Sequence, residues 1–134
     1  MFLVKLYDFL TTGDIMTNFN DLKRKLDNRW PLFEKIHKEI LSINPNIKYR
    51  IFPIYVSYYI GDKAIAVIFF KTKIITDNQL NIGFAFKKNP NKPRFINADH
   101  MNYKGINYSI ILNTGEGITD SDIKTIRESL CVKG

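Results

Sequence analysis

The chain has 134 residues, a hydrophobic fraction of 45%, a net charge of +7 and one cysteine, Cys131. This length fits one domain, 1–134, with a core large enough to need no disulfide or metal staple, and 1–18 reads as a peripheral segment. The lone cysteine excludes a disulfide framework and a Cys-rich zinc site, and it fits a reducing, cytoplasmic setting. The longest apolar run, Ala64 to Phe70, is far short of the roughly 20 residues of a membrane helix, so no membrane partner is expected. "MFLVKLYDFL" at the start carries Lys5 and Asp8 and lacks the pattern of a secretory signal.

The charge is unevenly spread. Residues 1–44 hold seven Lys/Arg against six Asp/Glu, 45–115 hold ten against three, and 116–134 hold three against four. The excess is central, and a local excess of this sign points toward anionic partners such as nucleic acid.

In chain order, apolar residues first fall at Phe19, Leu22, Leu26, Trp30, Phe33, Ile36 and Ile40. Steps of three and four predict a helical stripe, capped by Asn18 or Asn20. Pro31 interrupts it, which predicts either a kink or two helices with Pro31 in the first turn of the second. "NPN" at 44–46 ends the helical stretch. Lys48 and Arg50 fall on a short strand before Pro53. Ile54, Val56, Tyr58 and Ile60 then alternate with Tyr55, Ser57 and Tyr59, and "GD" at 61–62 reads as a hairpin turn. Residues 64–70 suit a central strand. Leu80, Ile82, Phe84 and Phe86 share one strand face, "KKNPNKPR" (87–94) is a loop, and 95–98 and 107–113 are further strands. "TDSD" at 119–122 opens a last helix with a capping box in which Asp replaces Glu. Ile123, Ile126 and Leu130 form that helix's stripe, with Cys131 beside it as a half-buried thiol.

The order of elements predicts an α+β fold: a two-layer sandwich with an antiparallel sheet of about five strands in meander order, covered by N-terminal and C-terminal helices. If Val56 and Tyr58 face the helices, then Tyr55 and Tyr59 lie on the other side with Lys48 and Arg50. Tyrosines beside cations on a bare sheet face suit base stacking and phosphate contact. The competing reading is that tyrosine favours strands and lysine keeps edges soluble. Lys87, Lys88, Lys92 and Arg94 are the densest basic feature. Four phosphate contacts to duplex would give a salt slope of about −3.6.

Catalytic and metal patterns are weak. "GEG" at 115–117 lacks the Lys-Ser/Thr of a phosphate loop. His37 and His100 are too far apart for a zinc signature. Asp99-His100 is the single candidate for proton transfer. No cofactor, no metal and no enzymatic activity are expected.

"LFEKIHKEILSINPNIKYRIFPIYVSYYIGDKAIAVI", "HMNYKGINYSIIL" and "DIKTIRESL" together resemble an uncharacterised domain-of-unknown-function family of bacteria and archaea, found alone or C-terminal to nuclease-like or restriction-associated domains. The likeness covers about residues 30–130. Phe52, Pro53 and Ile54 stand where the family usually carries Lys or Thr before its Y-I-x-Y step. The resemblance implies a compact α+β domain and a nuclease-type protein partner, and carries over no catalytic residue. Two functions follow as expectations. The first is an accessory module contacting nucleic acid through Lys48, Arg50, Tyr55, Tyr59 and the basic loop. The alternative is a protein-interaction or self-association module, such as a homodimer, using a sheet edge or the apolar amino terminus, where Leu3, Leu6, Tyr7 and Leu10 have helical spacing.

Overall fold

A computed structural model describes residues 18–132. The first helix, α1 (Phe19–Leu26), starts where the Asn18 side chain accepts the Asp21 N–H at 2.9 Å. A single 3-10 turn, Asp27–Arg29, separates it from α2 (Trp30–Ile43). Pro31 lies in the first turn of α2, where a missing N–H costs nothing. The two-helix arrangement therefore holds. Leu22, Leu26, Phe33, Ile36 and Ile40 are buried along the stripe. Asn44 ends α2, and its side chain accepts the Asn46 N–H.

Six strands follow: β1 (Lys48–Ile51), β2 (Tyr55–Ile60), β3 (Lys63–Phe69), β4 (Gln79–Phe84), β5 (Ile96–Asn97) and β6 (Tyr108–Asn113). They form one antiparallel sheet in the order β1-β2-β3-β4-β6-β5. The meander runs through β4. The chain then crosses to the far edge, and β6 returns to pair with β4. Gly61, at φ +61°, makes the β2–β3 turn in a conformation that costs glycine little. A register shift in β3 skips Ile65, so that Tyr58 pairs with Ala66 and Tyr59 with Ala64. Ile54 was expected on the helix-facing side with Val56. It precedes the strand and is 40% exposed, because Pro53 delays the start of pairing.

The last helix, α3 (Asp120–Ser129), has the expected box: Thr119 Oγ1 accepts the Asp122 N–H and Asp122 accepts the Thr119 N–H. It stops one residue before Leu130. The chain then turns extended, Leu130 bridges Phe86, and the Cys131 N–H donates to the Ala85 carbonyl at 2.8 Å. Cys131 is half-buried as expected, but among Val67 and Ala85 rather than along a helix stripe.

The main core lies between the helices and one face of the sheet, where Phe33, Tyr58, Leu80, Ile82, Phe84 and Ile110 are fully enclosed. The opposite, outer face was expected to be bare. The segment from Ala98 to Ile106 crosses it instead, and packs Met101 and Ile106 over Val67 and Ala85. Gly83 on β4 makes room for that cover: a Cβ there would lie 2.5 Å from Ile106 Cγ2 and 2.6 Å from Met101 Sδ. Among the described residues no helix is long and apolar enough to cross a membrane.

Candidate nucleic-acid interface

Strand alternation places four of the eight candidate residues on the outer face. Lys48 pairs with Tyr59 and Arg50 with Ser57 across β1 and β2, and directly opposed residues share a face. The Arg50 guanidinium carbon lies 5.7 Å from the Tyr59 ring centroid, within cation–π range. Beside them is a cleft of about 400 Å³, lined by Arg50, Phe52, Ser57, Tyr59, Asp62 and Tyr103, among others. Tyr103 belongs to the crossing segment, and its hydroxyl donates to Ser57 Oγ at 3.1 Å. The cleft thus joins one cation, two phenol rings and a serine hydroxyl, with the Asp62 carboxylate as its acidic member.

Tyr55 shares this face but not the cleft. Its ring is wedged between Phe52 at 4.8 Å, Phe69 at 5.0 Å and Tyr103 at 5.7 Å. Burial first, and then the neighbouring Tyr103, raise its hydroxyl pKa. Its geometry is that of a packing residue under the crossing segment.

The basic loop lies elsewhere. It leaves the end of β4, where the Lys87 N–H donates to the Ser129 carbonyl, and runs toward the far edge strand. Phe95, at its end, packs into the helix-side core against Phe84 and Phe86. Since β1 and β4 are three strand spacings apart, about 14 Å separates Lys48 and Arg50 from the loop's origin. Lys87, Lys88 and Lys92 are exposed. Arg94 is committed to the fold: Nε and Nη2 reach the two oxygens of Asp122 at 3.1 and 3.0 Å, and Nη1 lies 3.8 Å from Glu116. Asp122 is 4% exposed and also serves the capping box, so this pair ties the loop to the start of α3.

The two histidines have separate environments. His37 is buried in an aromatic box of Phe19, Phe33, Tyr49 and Tyr58, and its Nδ1 shares a 2.7 Å hydrogen bond with the Tyr58 hydroxyl. Burial lowers its pKa to about 4, with Glu34 raising it and Lys38 lowering it by smaller amounts. The same burial pushes the Tyr58 hydroxyl well up, with Tyr49 adding to the effect. His100 Nε2 meets the Asn81 amide oxygen at 3.2 Å, so its partner on the sheet is an amide and not an acid. Among the described residues, no three His, Cys, Asp or Glu side chains gather as a metal site.

Sequence reasoning missed Phe52 and Tyr103 as members of the cleft. Ser57 was readable as outward-facing from alternation alone. Tyr103 was not, because it reaches Ser57 across 46 residues of chain. No family model matches the chain, and no curated protein and no solved structure is significantly similar to it.

Proposed function

We propose that the protein is a non-enzymatic accessory module that contacts single-stranded nucleic acid through the Arg50–Tyr59 cleft. The convergence of Arg50, Tyr59, Ser57 and Tyr103 around one open cleft carries this reading. A base stacks in the cleft against Tyr59, hydroxyls meet its edge, and Arg50 and Lys48 hold the flanking phosphates. Contacts of this kind give affinity with little sequence choice. Lys87, Lys88 and Lys92 extend the track when the strand is long enough to round the end of the sheet. The reading includes a cytoplasmic location and a nuclease-type partner, in keeping with the single thiol and the family resemblance.

Fluorescence polarisation with a single-stranded oligonucleotide at graded salt tests this. Two phosphate contacts on a single strand give a logarithmic salt slope of about −1.4, and five give about −3.5, so the slope reports whether the loop lysines take part. Tyr59→Ala removes one stacked base, a loss of about 1–3 kcal/mol. Absence of binding at low salt, or binding indifferent to Arg50→Glu, would sink the proposal.

Protein interaction is the second reading. Phe19 and Tyr49, 37% and 39% exposed, stack on each other 5.7 Å apart beside α1, at the β1 edge where no further strand pairs among the described residues. The apolar amino terminus proposed for the same role lies outside the described residues. Light scattering separates the readings: a dimer abolished by Tyr49→Lys favours association, and a monomer at high concentration rejects it.

A further inference from the structure

The outer face holds a second cavity, of about 310 Å³, on the other side of the crossing segment. Phe69, Ile74 and Met101 supply its apolar wall, and Thr72, Lys73, Asn81 and His100 its polar groups. The volume is at the low end of the range that holds small ligands, about 300–1,000 Å³.

Asn81 sits on β4 at the sheet side of this cavity and is 1% exposed. His100 takes one end of its amide; the Nδ2 end has no partner among the described residues. Ser109 Oγ is likewise buried without a partner there, and Ser109 pairs with Gly83, two residues along the same face from Asn81. Native proteins leave few buried polar atoms unmatched, and those that remain call for a reason. The polar groups of this wall share one character. Amide, hydroxyl, ammonium and imidazole can all donate a hydrogen bond, and no carboxylate among the described residues lines the cavity. Lys73 is exposed at the rim and has no ion-pair partner among the described residues.

We infer that this cavity binds a small organic carboxylate with an apolar or aromatic body. The carboxylate takes the Lys73 ammonium and the Thr72 hydroxyl, with the His100–Asn81 pair behind it, and the body lies against Phe69, Ile74 and Met101. This site stands apart from the nucleic-acid cleft and does not depend on it.

The test is an NMR titration of the full chain with sodium benzoate, and with benzyl alcohol as the uncharged counterpart. Benzoate is expected to shift the Asn81 side-chain amide, the His100 ring and the Met101 methyl saturably, with a Kd of about 1 mM or tighter. Benzyl alcohol is expected to bind about tenfold more weakly. Lys73→Gln, an exposed change that leaves the fold intact, is expected to weaken benzoate about two- to fivefold. Asn81→Ala removes the partner that holds the His100 ring at the cavity wall and is expected to weaken benzoate as well; should it fail to fold, the Lys73 variant decides. Benzoate without saturable shifts at these three residues overturns the inference. Equal binding of benzyl alcohol, or a Lys73→Gln variant of unchanged affinity, overturns it as well.

Discussion

The two faces of the sheet are built from the same strands and differ in what covers them. On the inner face, Val56, Tyr58, Leu80, Ile82, Phe84, Ile110 and Leu112 meet two helical stripes, and the match is wide enough to seal the layer. On the outer face, alternation places Arg50, Tyr55, Ser57, Tyr59, Asn81, Gly83 and Ser109, a mixture that no α-helix among the described residues covers. One irregular segment crosses it, with Met101, Tyr103 and Ile106 as its contacts. A narrow cover over a polar face leaves clefts of about 400 and 310 Å³ on either side of it, whereas the gap between α2 and α3 over the inner layer is about 10 Å³. The candidate sites lie on this face for that reason.

Substitutions can break or sharpen the contrast. The largest effect is expected on the sealed side. Phe33→Ala, at a fully buried ring of α2, should cost about 3–5 kcal/mol by denaturant unfolding. A loss near 1 kcal/mol would mean the inner layer is looser than its burial implies.

Next comes a pH effect from the same side. His37 has a folded pKa of about 4, below the unfolded value of 6.5. The unfolded chain therefore binds a proton that the folded chain refuses. The stability from neutral His37 is complete above pH 6.5 and declines as pH falls toward 4, by at most about 3 kcal/mol. His37→Gln should flatten this slope, and a variant with an unchanged pH profile would remove His37 as its source.

Gly83→Ala probes the crossing segment. Its Cβ would press on the Met101 and Ile106 side chains, so a loss of about 1–3 kcal/mol is expected, with faster amide exchange confined to residues 98–106. Exchange that quickens evenly across the sheet would show that the cover is not a separate unit. The smallest effect is Tyr103→Phe, which removes one hydrogen bond to Ser57 at the cleft and should cost about 1 kcal/mol. A cost equal to that of Phe33→Ala would erase the distinction between the faces.

Much of the inner layer was legible in the chain. The steps from Phe19 to Ile40, the placement of Pro31, the Gly61 turn and the Thr119–Asp122 box are set by neighbours a few residues apart, and they form as read. The outer face was legible only as alternation. Arg94 reads as a free cation until Asp122, 28 residues later, is seen to hold its Nε and Nη2. Tyr55 reads as a stacking platform until Phe52, Phe69 and Tyr103 are seen around its ring.

The sequence by itself determined the α+β class, the helical stripes, the strand alternation and the concentration of charge between residues 45 and 115, because periodicity and composition are local quantities. Only the tertiary structure decided that β6 returns between β4 and β5, that Ala98–Ile106 packs across the outer face, and that the basic residues divide between two places. Those outcomes depend on contacts between segments far apart in the chain. Such contacts form only when the gain from packing Met101 and Ile106 over Gly83, or Arg94 against Asp122, exceeds the entropy lost in closing long loops, and no local pattern records that balance.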